Sequence, residues 1–541
     1  PSPLSEGNLK ATQATDNANA SATFAMASGK WYAEILGTSV AGDSLFIYGV
    51  NSLGGGSSSS MLQYNTGQAK YDAAGEASGW ATTLSNDDII MLAYDADAGH
   101  AWYGVNGSWY NSGDPSAGTT QASSSITAPG QFKLSTGSAS GSTSITNFGQ
   151  DSSFAGNETA QGNTDANGLG DFYYTPPTDF LTLCIDNLPD PEIALPADHF
   201  NTVLWTGNNV DGRVFSSVLD FQLDFSWIKN RTVGYHHVLM DSVREFESDK
   251  KIASDLNFEE GDPTELPGTY GYVSAVSSTG FTLSGSSPLQ TNSTGDGDYV
   301  GWNWLAGGSG VANTTGTMDS TVSANTTAGF SIVTYVGHSN GASNGTVGHG
   351  LSEVPTMIIW KELTVAGSNW NVYHVDVGIA KRLELNTSDA EAADTYMMHN
   401  TLPTASVFSV GDSGETNSDG DEHVAYCFHS VEGYSKIGSY EGNSNADGTF
   451  IYTGFRPAFV ITKNVDATGN WVLMDDKRLG YNVDNNQFYP NENNVEDTND
   501  FMDIVSNGFK LRSSSTAINN GSETYLYLAF AESPFKYANA R

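Results

Sequence analysis

One pentapeptide of this chain has the spacing of a catalytic serine turn. Gly337-His338-Ser339-Asn340-Gly341 matches the Gly-x-Ser-x-Gly pattern and follows an apolar run, FSIVTYV. In serine hydrolases this pattern works because a strained turn from a strand into a helix exposes the Ser hydroxyl. The residues that follow here, ASNGTVGHG, are rich in Gly, which is a poor helix former. We therefore interpret the pentapeptide as a β-turn and predict that it is not catalytic.

A second group of residues has part of the spacing of a calcium loop. Asp165, Asn167 and Asp171 lie in the sequence TDANGLGD. The twelve-residue EF-hand loop needs a bidentate Glu at its last position, where this chain has Pro176. The spacing excludes an EF-hand and leaves open a looser coordination of calcium.

The cysteines and histidines do not have the spacing of a metal or redox site. Cys184 and Cys427 belong to no CxxC or Cys/His pattern, and the adjacent His236 and His237 would point to opposite faces of a strand. Neighbouring acidic residues are interpreted as solvated turns, because the chain has 61 acids and many loops rich in Gly. The sequence predicts a protein that is not an enzyme, with no cofactor, no bound metal and no disulfide framework.

The elements around these residues belong to a large and strongly acidic chain. Its 541 residues are several times the usual domain length of about 100 to 200 residues, so we expect several separate cores. The formal net charge is −39, from 61 acidic residues against 22 Lys and Arg. Such a field repels nucleic-acid phosphates and anionic lipid head groups, which excludes nucleic acid and membrane surfaces as partners.

The amino-terminal residues carry no visible targeting signal. The sequence PSPLSEGNLKA has neither the basic nor the apolar region of a secretion signal. No segment is apolar over the roughly 18 residues that a membrane-spanning helix requires. We expect a soluble chain. The sequence begins with Pro1 and not with Met, which leaves open whether residues precede it.

Residues 1–185 have the pattern of short antiparallel strands. Apolar runs such as KWYAEIL, DIIMLAYD and AWYGV alternate with clusters of Gly, Ser and Asn, which is typical of a β-sandwich. A linker is predicted at 186–200, where NLPDPEIALP holds three prolines that fix an extended backbone. Apolar residues at helical spacing do not continue for more than a turn or two, and at most a short helix is expected at 388–398. The predicted fold class is all-β.

Three copies of one sequence pattern fill the rest of the chain. Each copy opens with a strand that runs into a Gly turn, and an apolar strand ending in Lys follows 21 to 24 residues later. The openings are VLWTGN, VTYVGH and GSYEGN, and the Lys strands are FSWIK, MIIWK and FVITK. Each copy closes with an aromatic strand, YVGWNW, HVAYCF or YLYLAF. We predict three diverged β-sandwich-type repeats at 201–308, 330–433 and 434–541.

Two further features belong to this repeat region. The tract 309–329, SGVANTTGTMDSTVSANTTAG, is predicted to be a Gly/Ser/Thr linker, flexible or loosely paired, between the first two copies. Asp241 with Arg244, and Asp475 with Arg478, occupy matching positions in the first and third copies. A duplicated pair of this kind favours a structural ion pair over catalysis.

Four landmarks in the first region resemble the SPRY family of concanavalin-like sandwiches. They are SGKWYAEI at 28–35, DIIMLAYD at 88–95, YGVNG at 103–107 and NFG at 147–149. The resemblance implies a SPRY-like antiparallel β-sandwich whose loops bind a protein or a glycan, while the landmark residues build the core and turns. The segment 37–85 departs from the family pattern, so the resemblance does not place a binding loop. Trp80, Trp102 and Trp109 are the candidate ligand-binding residues.

From about residue 188 onward the chain resembles the carboxy-terminal region of virion structural proteins of marine tailed bacteriophages. The resemblance rests on GFSIVTY, VGHGLSEVPTMIIWK, AYCFHSVEGYSKIGSY and YTGFRPAFV. The ending AFAESPFKYANAR is similar to the ends of such proteins, so we expect an intact carboxy terminus. The resemblance implies a virion component on the extracellular particle surface, such as a tail fibre or another appendage.

The leading hypothesis is a non-enzymatic virion structural protein that presents β domains for host-surface attachment. Its expected partners are other copies of itself, other virion proteins, and a glycan or protein of the host surface. A homotrimer is one arrangement by analogy with fibres, and a filament or a monomer stays open. One alternative is an extracellular, lectin-like glycan-binding surface protein. Its residues 1–185 would bind glycans, and the protein would not be associated with virions. An alternative of another class is a phage polysaccharide depolymerase, which would release reducing ends from host polysaccharide.

Overall fold

The chain folds into two compact units in a computed structural model. The residues that the structure describes are 4–5, 9–12, 18–21, 24–39, 46–52, 60–64, 70–72, 75–77, 84–124, 126–128, 130–137, 143–188, 190–295, 297–338, 344–478, 482 and 486–538. The two units are Pro1–Pro189 and Asp190–Arg541. The division between them lies inside the segment 186–200 for which the sequence predicts a linker.

The first unit consists of two sheets. Its strands are β1 Leu4–Ser5, β2 Lys10–Thr12, β3 Ala18–Ser21, β4 Lys30–Ser39, β5 Phe46–Ser52, β6 Ser60–Tyr64, β7 Lys70–Asp72, β8 Gly75–Ala77, β9 Ile89–Asp95, β10 His100–Val105, β11 Ser108–Trp109, β12 Gly130–Gly137, β13 Thr143–Asn147 and β14 Leu181–Thr182, with short 3-10 helices at Tyr110–Ser112 and Ile185–Asn187. One sheet has the order β1-β2-β13-β4-β9-β10-β11, and the other has the order β3-β12-β5-β6-β7-β8. Neighbours pair antiparallel, whereas β14 lies parallel to β4.

The central strands β4 and β9 are buried on both faces. Trp31 and Ile35 of β4 belong to the core that lies between the two sheets. Tyr32 packs on the opposite face, in a cluster with Phe172 and Phe180. Successive side chains of a strand point to opposite faces, so a strand covered on both sides needs a continuous apolar run such as KWYAEIL. The prediction of an antiparallel sandwich is confirmed.

The strands of the second unit fall into three groups, which correspond to the three predicted repeats. The first repeat contains β15 Phe200–Thr206, β16 Arg213–Phe215, β17 Phe225–Asn230, β18 Val238–Asp241, β19 Tyr272–Ser277, β20 Gly280–Ser284 and β21 Asp298–Trp304. The second contains β22 Val311–Asn313, β23 Ser320–Asn325, β24 Phe330–Val336, β25 Gly345–Gly348, β26 Met357–Glu362, β27 Asn371–His374, β28 Lys381–Glu384, β29 Ala392–Ala393, β30 Val407–Val410 and β31 Glu422–Phe428, with α1 at Gly414–Asn417. The third contains β32 Ser435–Glu441, β33 Phe450–Tyr452, β34 Phe455–Asn464, β35 Val472–Asp475, β36 Gln487–Phe488, β37 Met502–Val505, β38 Gly508–Leu511 and β39 Thr524–Pro534. Short 3-10 helices lie at Pro196–Asp198, Gly268–Tyr270 and Phe535–Tyr537.

Each repeat has its own main sheet, and the three main sheets share one arrangement of strands. The main sheets have the orders β15-β21-β17-β18, β22-β23-β24-β31-β26-β27-β28-β29 and β32-β39-β34-β35-β36. In each, the opening strand pairs with the closing strand, which pairs with the Lys strand, and all these pairs are antiparallel. The smaller second sheets are β16-β20-β19, β25-β30 and β33-β38-β37.

The three main sheets also share one register. The buried Lys at the end of each Lys strand lies opposite an aliphatic residue of the closing strand: Lys229 opposite Val300, Lys361 opposite Val424 and Lys463 opposite Leu526. Rings of the opening and closing strands stack at matching places, namely Trp205 on Tyr299 at 5.7 Å, Tyr335 on His423 at 5.2 Å and Tyr440 on Tyr525 at 5.2 Å. A slip of one residue would send every side chain to the other face of its sheet. The common register confirms the three predicted repeats.

The hydrophobic cores are partly separate and partly shared. Each repeat has a core of its own between its main sheet and its smaller sheet. A larger cluster joins all three repeats and contains, among others, Trp227, Trp302, Trp304, Tyr426, Phe428, Phe459 and Phe530. The expectation of separate cores is therefore corrected, because the inner faces of the three main sheets bury one another and no repeat completes this core alone.

The structure corrects two further expectations about local elements. The tract 309–329 is not a linker, because it forms β22 and β23, which extend the main sheet of the second repeat beyond β24. Its Val322 is buried in the core of that repeat, so the Ser and Thr residues between its apolar positions conceal a strand. The segment 388–398 contains β29 and no helix. Among the described residues, none of the helices has the length and apolar character needed to cross a membrane.

Candidate functional site

The structure brings two of the three predicted ligand-binding tryptophans together. Trp102 and Trp109 both contact the cluster on the outer face of β4 and β9. The Trp102 side chain is 2% exposed, and its indole donates to Thr119 O at 2.8 Å. It therefore builds the core and offers no surface to a ligand. Trp109 is half-buried and packs edge-on against Tyr32 at 6.4 Å, while Trp80 lies outside the described residues.

A buried carboxylate that the sequence reasoning missed lies beside this cluster. Glu34 of β4 is fully buried. Its Oε1 accepts hydrogen bonds from the Tyr32 hydroxyl at 3.0 Å and the Tyr174 backbone N–H at 2.7 Å. Its Oε2 accepts from the Tyr173 backbone N–H at 2.8 Å and from the Asn147 amide at 3.3 Å. Burial raises the pKa of Glu34 to about 7. The signal in the sequence was a single acidic residue inside the apolar run KWYAEIL.

The first two residues of the Gly-x-Ser-x-Gly pentapeptide, Gly337 and His338, occupy a position that recurs in all three repeats. A Cβ at the turn Gly would overlap a backbone oxygen in each repeat, at Gly207, Gly337 and Gly442. The residue after each Gly donates its N–H to an Asn side chain: Asn208 to Asn292 at 3.2 Å, His338 to Asn417 at 2.8 Å and Asn443 to Asn519 at 2.8 Å. The glycines are required because backbone passes close to backbone. Ser339 lies outside the described residues.

The region with calcium-loop spacing is held by hydrogen bonds to its own backbone. Asp165 Oδ1 accepts from the N–H groups of Asn167 and Leu169, at 2.9 Å and 3.0 Å. Its Oδ2 accepts from the Thr182 N–H at 2.8 Å. Both oxygens thus face donors that a cation would have to displace. Within the described residues no group of three or more His, Cys, Asp or Glu side chains is placed to hold a metal ion.

The three repeats close a ring, and each junction between neighbouring repeats is here called a seam. At every seam an aromatic ring N–H donates to a backbone carbonyl of the neighbouring repeat. The bonds run from Trp370 to Ala253 at 2.9 Å, from Trp471 to Glu384 at 3.0 Å and from His237 Nε2 to Glu492 at 3.2 Å. The first joins the first and second repeats, the second joins the second and third, and the last joins the third back to the first. We call this last junction the closing seam.

A second hydrogen bond repeats around the ring. At each seam the backbone N–H of a Glu donates to the carbonyl of the residue that lies two positions after the buried Lys. The bonds run from Glu260 to Leu363 at 2.9 Å, from Glu391 to Val465 at 2.9 Å and from Glu496 to Arg231 at 3.0 Å. Every repeat is therefore bonded to both of its neighbours.

The ring coincides with a known sequence family. Residues 195–534, well over half of the chain, match the family described as Domain of unknown function (DUF7483). The chain belongs to this family. The DUF7483 match includes all three repeats, so the matched segment is the whole ring and not a single repeat.

The chain is also similar to two solved structures of SPRY domains, each over about a quarter of its length. The chain is similar to the SPRY domain of human HERC1, with 16% identity, a TM-score of 0.23 and coverage of 27% of this chain and 91% of that chain. It is similar to the PSpry domain of TRIM65 with 9% identity, a TM-score of 0.21 and coverage of 27% and 84%. No curated protein matches the chain.

The DUF7483 region buries one Lys at the same place in each repeat. Lys229, Lys361 and Lys463 are fully buried. Lys229 Nζ donates to Asn493 O of the third repeat at 3.3 Å, and Lys463 Nζ donates to Ser388 O of the second at 3.4 Å. Burial lowers the pKa to about 7 for Lys229 and to about 8 for the other two. The recurring Lys of the sequence pattern thus bonds across a seam in the first and third repeats, whereas Lys361 donates to Glu362 O of its own repeat.

The predicted ion pairs of the DUF7483 region are confirmed as structural. Arg244 Nε lies 2.7 Å from Asp241 Oδ2, and the Tyr426 hydroxyl of the second repeat donates to the same oxygen at 2.8 Å. Arg478 Nε lies 2.6 Å from Asp475 Oδ2, which also accepts from the Trp302 indole of the first repeat at 3.0 Å. Each corner therefore bonds to the neighbouring repeat.

The adjacent histidines of the DUF7483 region point to different partners. His236 Nδ1 lies 2.6 Å from Asp255 Oδ2. His237 Nδ1 accepts from the Trp227 indole at 2.7 Å. An indole can only donate, so the proton of the neutral His237 ring is on Nε2, which donates to Glu492 O across the closing seam. Burial lowers the pKa of His237 to about 3.

Proposed function

We propose that this protein is a non-enzymatic structural component of a tailed-phage virion, a tail fibre or another appendage that presents β domains to the host surface. The observation that carries the proposal is the closed ring of three repeats around one shared core. Lys229, Lys463, the Asp–Arg corners and His237 each bond to a neighbouring repeat and so help to hold the ring together.

The ring supports this proposal through its stiffness. The central strands of its main sheets are buried on both faces, and aromatic side chains from every repeat meet in the shared core. Interiors packed at such density deform little and transmit strain. A linear repeat array needs capping repeats because its ends are incomplete, whereas a closed ring has no terminal repeat. Rigidity and closure of this kind are typical of a structural protein.

The charge and the sequence resemblance support the location on a particle. A net charge of −39 makes copies of the protein repel one another in solution, so only specific contact surfaces bring them together on a particle. The resemblance to virion structural proteins rests on residues inside the ring, including the Lys strand MIIWK. Because the threefold arrangement is closed within one chain, self-association of the protein uses surfaces other than the seams.

Immunogold electron microscopy of purified particles tests the proposal. Antibody raised against the full chain is expected to label an appendage of the particle, and an excess of free full-length protein is expected to abolish the label. Particles that bind a capsid antibody but not this one would refute the assignment to the virion. Release of reducing ends from host polysaccharide by the full chain would refute the non-enzymatic part.

A further inference from the structure

One hairpin interrupts the threefold pattern of the ring. Strands β22 and β23 extend the main sheet of the second repeat, and no matching hairpin precedes β15 or β32 within the described residues of the other repeats. The hairpin exposes both residues at the start of β22, Val311 and Ala312. It takes part in none of the bonds that recur at all three seams.

The hairpin forms one side of an open groove at the seam of the first and second repeats. The groove has a volume of about 500 Å³, which lies within the usual range of roughly 300 to 1,000 Å³ for small-ligand sites. Its floor is formed by Ala312, Thr321 and Thr334 on adjacent strands. Its opposite wall is formed by Arg244 and Lys250 of the first repeat.

The groove mixes hydrogen-bond donors and acceptors. Four carboxylates line it, those of Glu245, Glu260, Asp319 and Glu422, against the two cations of the opposite wall. Glu260 is occupied, since its two oxygens lie 2.6 Å from Arg244 Nη1 and 2.8 Å from Lys250 Nζ. The other three carboxylates are on exposed residues and make no hydrogen bond or ion pair within the part of the chain that the structure describes.

The backbone of Glu245 is held in an unusual conformation at the edge of the groove. Its φ is 73°, in the left-handed region that residues other than Gly and Asn seldom adopt. Side chains held in this way are frequent at binding sites, where the surrounding structure maintains them. The strain is therefore a second feature, independent of the hairpin, at the same groove.

We propose that this groove binds a host-surface saccharide that lacks acidic groups, an inference that rests on the proposed function and names its ligand class. Sugar hydroxyls both donate and accept, so they suit a lining of exposed carboxylates and Thr hydroxyls. A peptide partner would instead be anchored by large aromatic side chains in apolar pockets. The apolar lining here consists of Ala312, Val243, Val336 and Leu363, and the one aromatic residue of the lining, Tyr335, is buried. Acidic saccharides are disfavoured because carboxylates outnumber cations.

The test uses the full chain on an array of neutral, amino-bearing and acidic oligosaccharides, followed by measurement of Kd for the saccharides that bind. The double variant Thr321→Val with Thr334→Val removes two hydroxyls from the floor and keeps β-branched side chains of similar size. We expect it to bind about tenfold more weakly, because ligand hydroxyls lose their partners. Glu422→Gln, on the exposed rim, is expected to bind about fivefold more weakly, because a neutral amide oxygen accepts weaker hydrogen bonds than a carboxylate does.

The matched control is Thr314→Val with Thr315→Val, on the same hairpin but outside the groove; it is expected to leave Kd unchanged. The inference is overturned if no saccharide binds, if acidic saccharides bind best, or if the groove and control variants weaken binding equally. Labelled particles without saccharide binding would refute this inference and leave the proposed function standing. Unlabelled particles with groove-dependent binding would refute the virion assignment alone.

Discussion

The closing seam and the seam between the second and third repeats occupy the same place in the repeat and are held by different chemistry. Trp471 is buried and donates one N–H across its seam. His237 is also buried, but both of its ring nitrogens are bonded, to Trp227 and to Glu492. An indole buries more apolar surface and does not ionise, whereas an imidazole ionises in mild acid. The same position of the repeat can therefore stabilise a seam by the buried apolar surface of Trp471 or by hydrogen bonds at both ring nitrogens of His237. Only the histidine makes the stability of its seam depend on pH.

The largest expected effect comes from breaking the corner at the closing seam. Arg478→Met leaves Asp475 buried without its cation and removes one of the two partners of Glu496, whose other oxygen pairs with Arg231 of the first repeat at 2.8 Å. We expect the free energy of unfolding of the ring to fall by about 3 to 5 kcal/mol. Chemical denaturation of the full chain, with hydrogen exchange of the ring strands, measures the loss.

The control for this variant is Arg382→Met in the second repeat. The Arg382 side chain is 30% exposed and pairs with Asp394 at 2.7 Å, so its removal is expected to cost about 1 kcal/mol or less. Equal losses for the two variants would contradict the view that the closing-seam corner is the tightly coupled one.

Acid should weaken the closing seam more than the seam held by Trp471. The pKa of His237 is about 3 in the folded protein against an ordinary value of 6.5. Between these values the unfolded chain binds more protons, so stability falls as pH falls. We expect a loss of about 1.6 kcal/mol between pH 6.5 and pH 5 from this residue. The groups that face it are Lys229, Asp255, Tyr489 and Glu492.

His237→Phe isolates this contribution, because it removes the titrating group while retaining an aromatic ring. The variant is expected to be less stable at neutral pH and to lose most of the acid dependence, measured as the slope of unfolding free energy against pH. An unchanged slope would show that other groups cause the acid response of the ring.

The first unit should respond to acid in the opposite direction. The pKa of Glu34 is about 7 in the folded protein against an ordinary value of 4.5, so between these values the folded state holds more protons and stability rises as pH falls. We expect the strands β4 and β9 to gain about 1.5 kcal/mol of protection between pH 7 and pH 5.5, measured by hydrogen exchange corrected for its intrinsic rate. Glu34→Gln should abolish the gain, and a gain that persists would assign it elsewhere.

The smallest expected effect is at the seam of the second and third repeats. Trp471→Phe keeps most of the buried surface and removes the N–H bond to Glu384 O. We expect a loss of about 1 kcal/mol at all pH values between 5 and 8. A loss that grows in acid would remove the distinction between the two kinds of seam.

Features with a local period were predictable from the sequence, and contacts between distant residues were not. The runs KWYAEIL and MIIWK are strands because apolar residues continue for the length of a strand and stop at turn residues. The tract 309–329 was mistaken for a linker because an edge hairpin buries few side chains and its Ser and Thr residues conceal the alternation. The burial of Trp102 could not be foreseen, since Phe180, which covers it, lies far along the chain.

The candidate site shows the same limit. The sequence contains every residue of the groove, yet Arg244 and Thr321 belong to different repeats, and no spacing pattern brings them together. The Asp–Arg corners were recognised as pairs because their members are three residues apart. Their partners across the seams were not, because Trp302 and Asp475 are separated by 173 residues.

By itself the sequence determined that the chain is all-β and that one order of strands occurs three times. Successive side chains of a strand point to opposite faces, so a strand can be recognised from residues that are close together in the sequence. The tertiary structure alone decided that the three repeats close on one another, share an aromatic core and satisfy each other's buried Lys, His and Asp groups. Closure depends on which faces bury each other best, and that balance of packing is set by side chains from all three repeats at once.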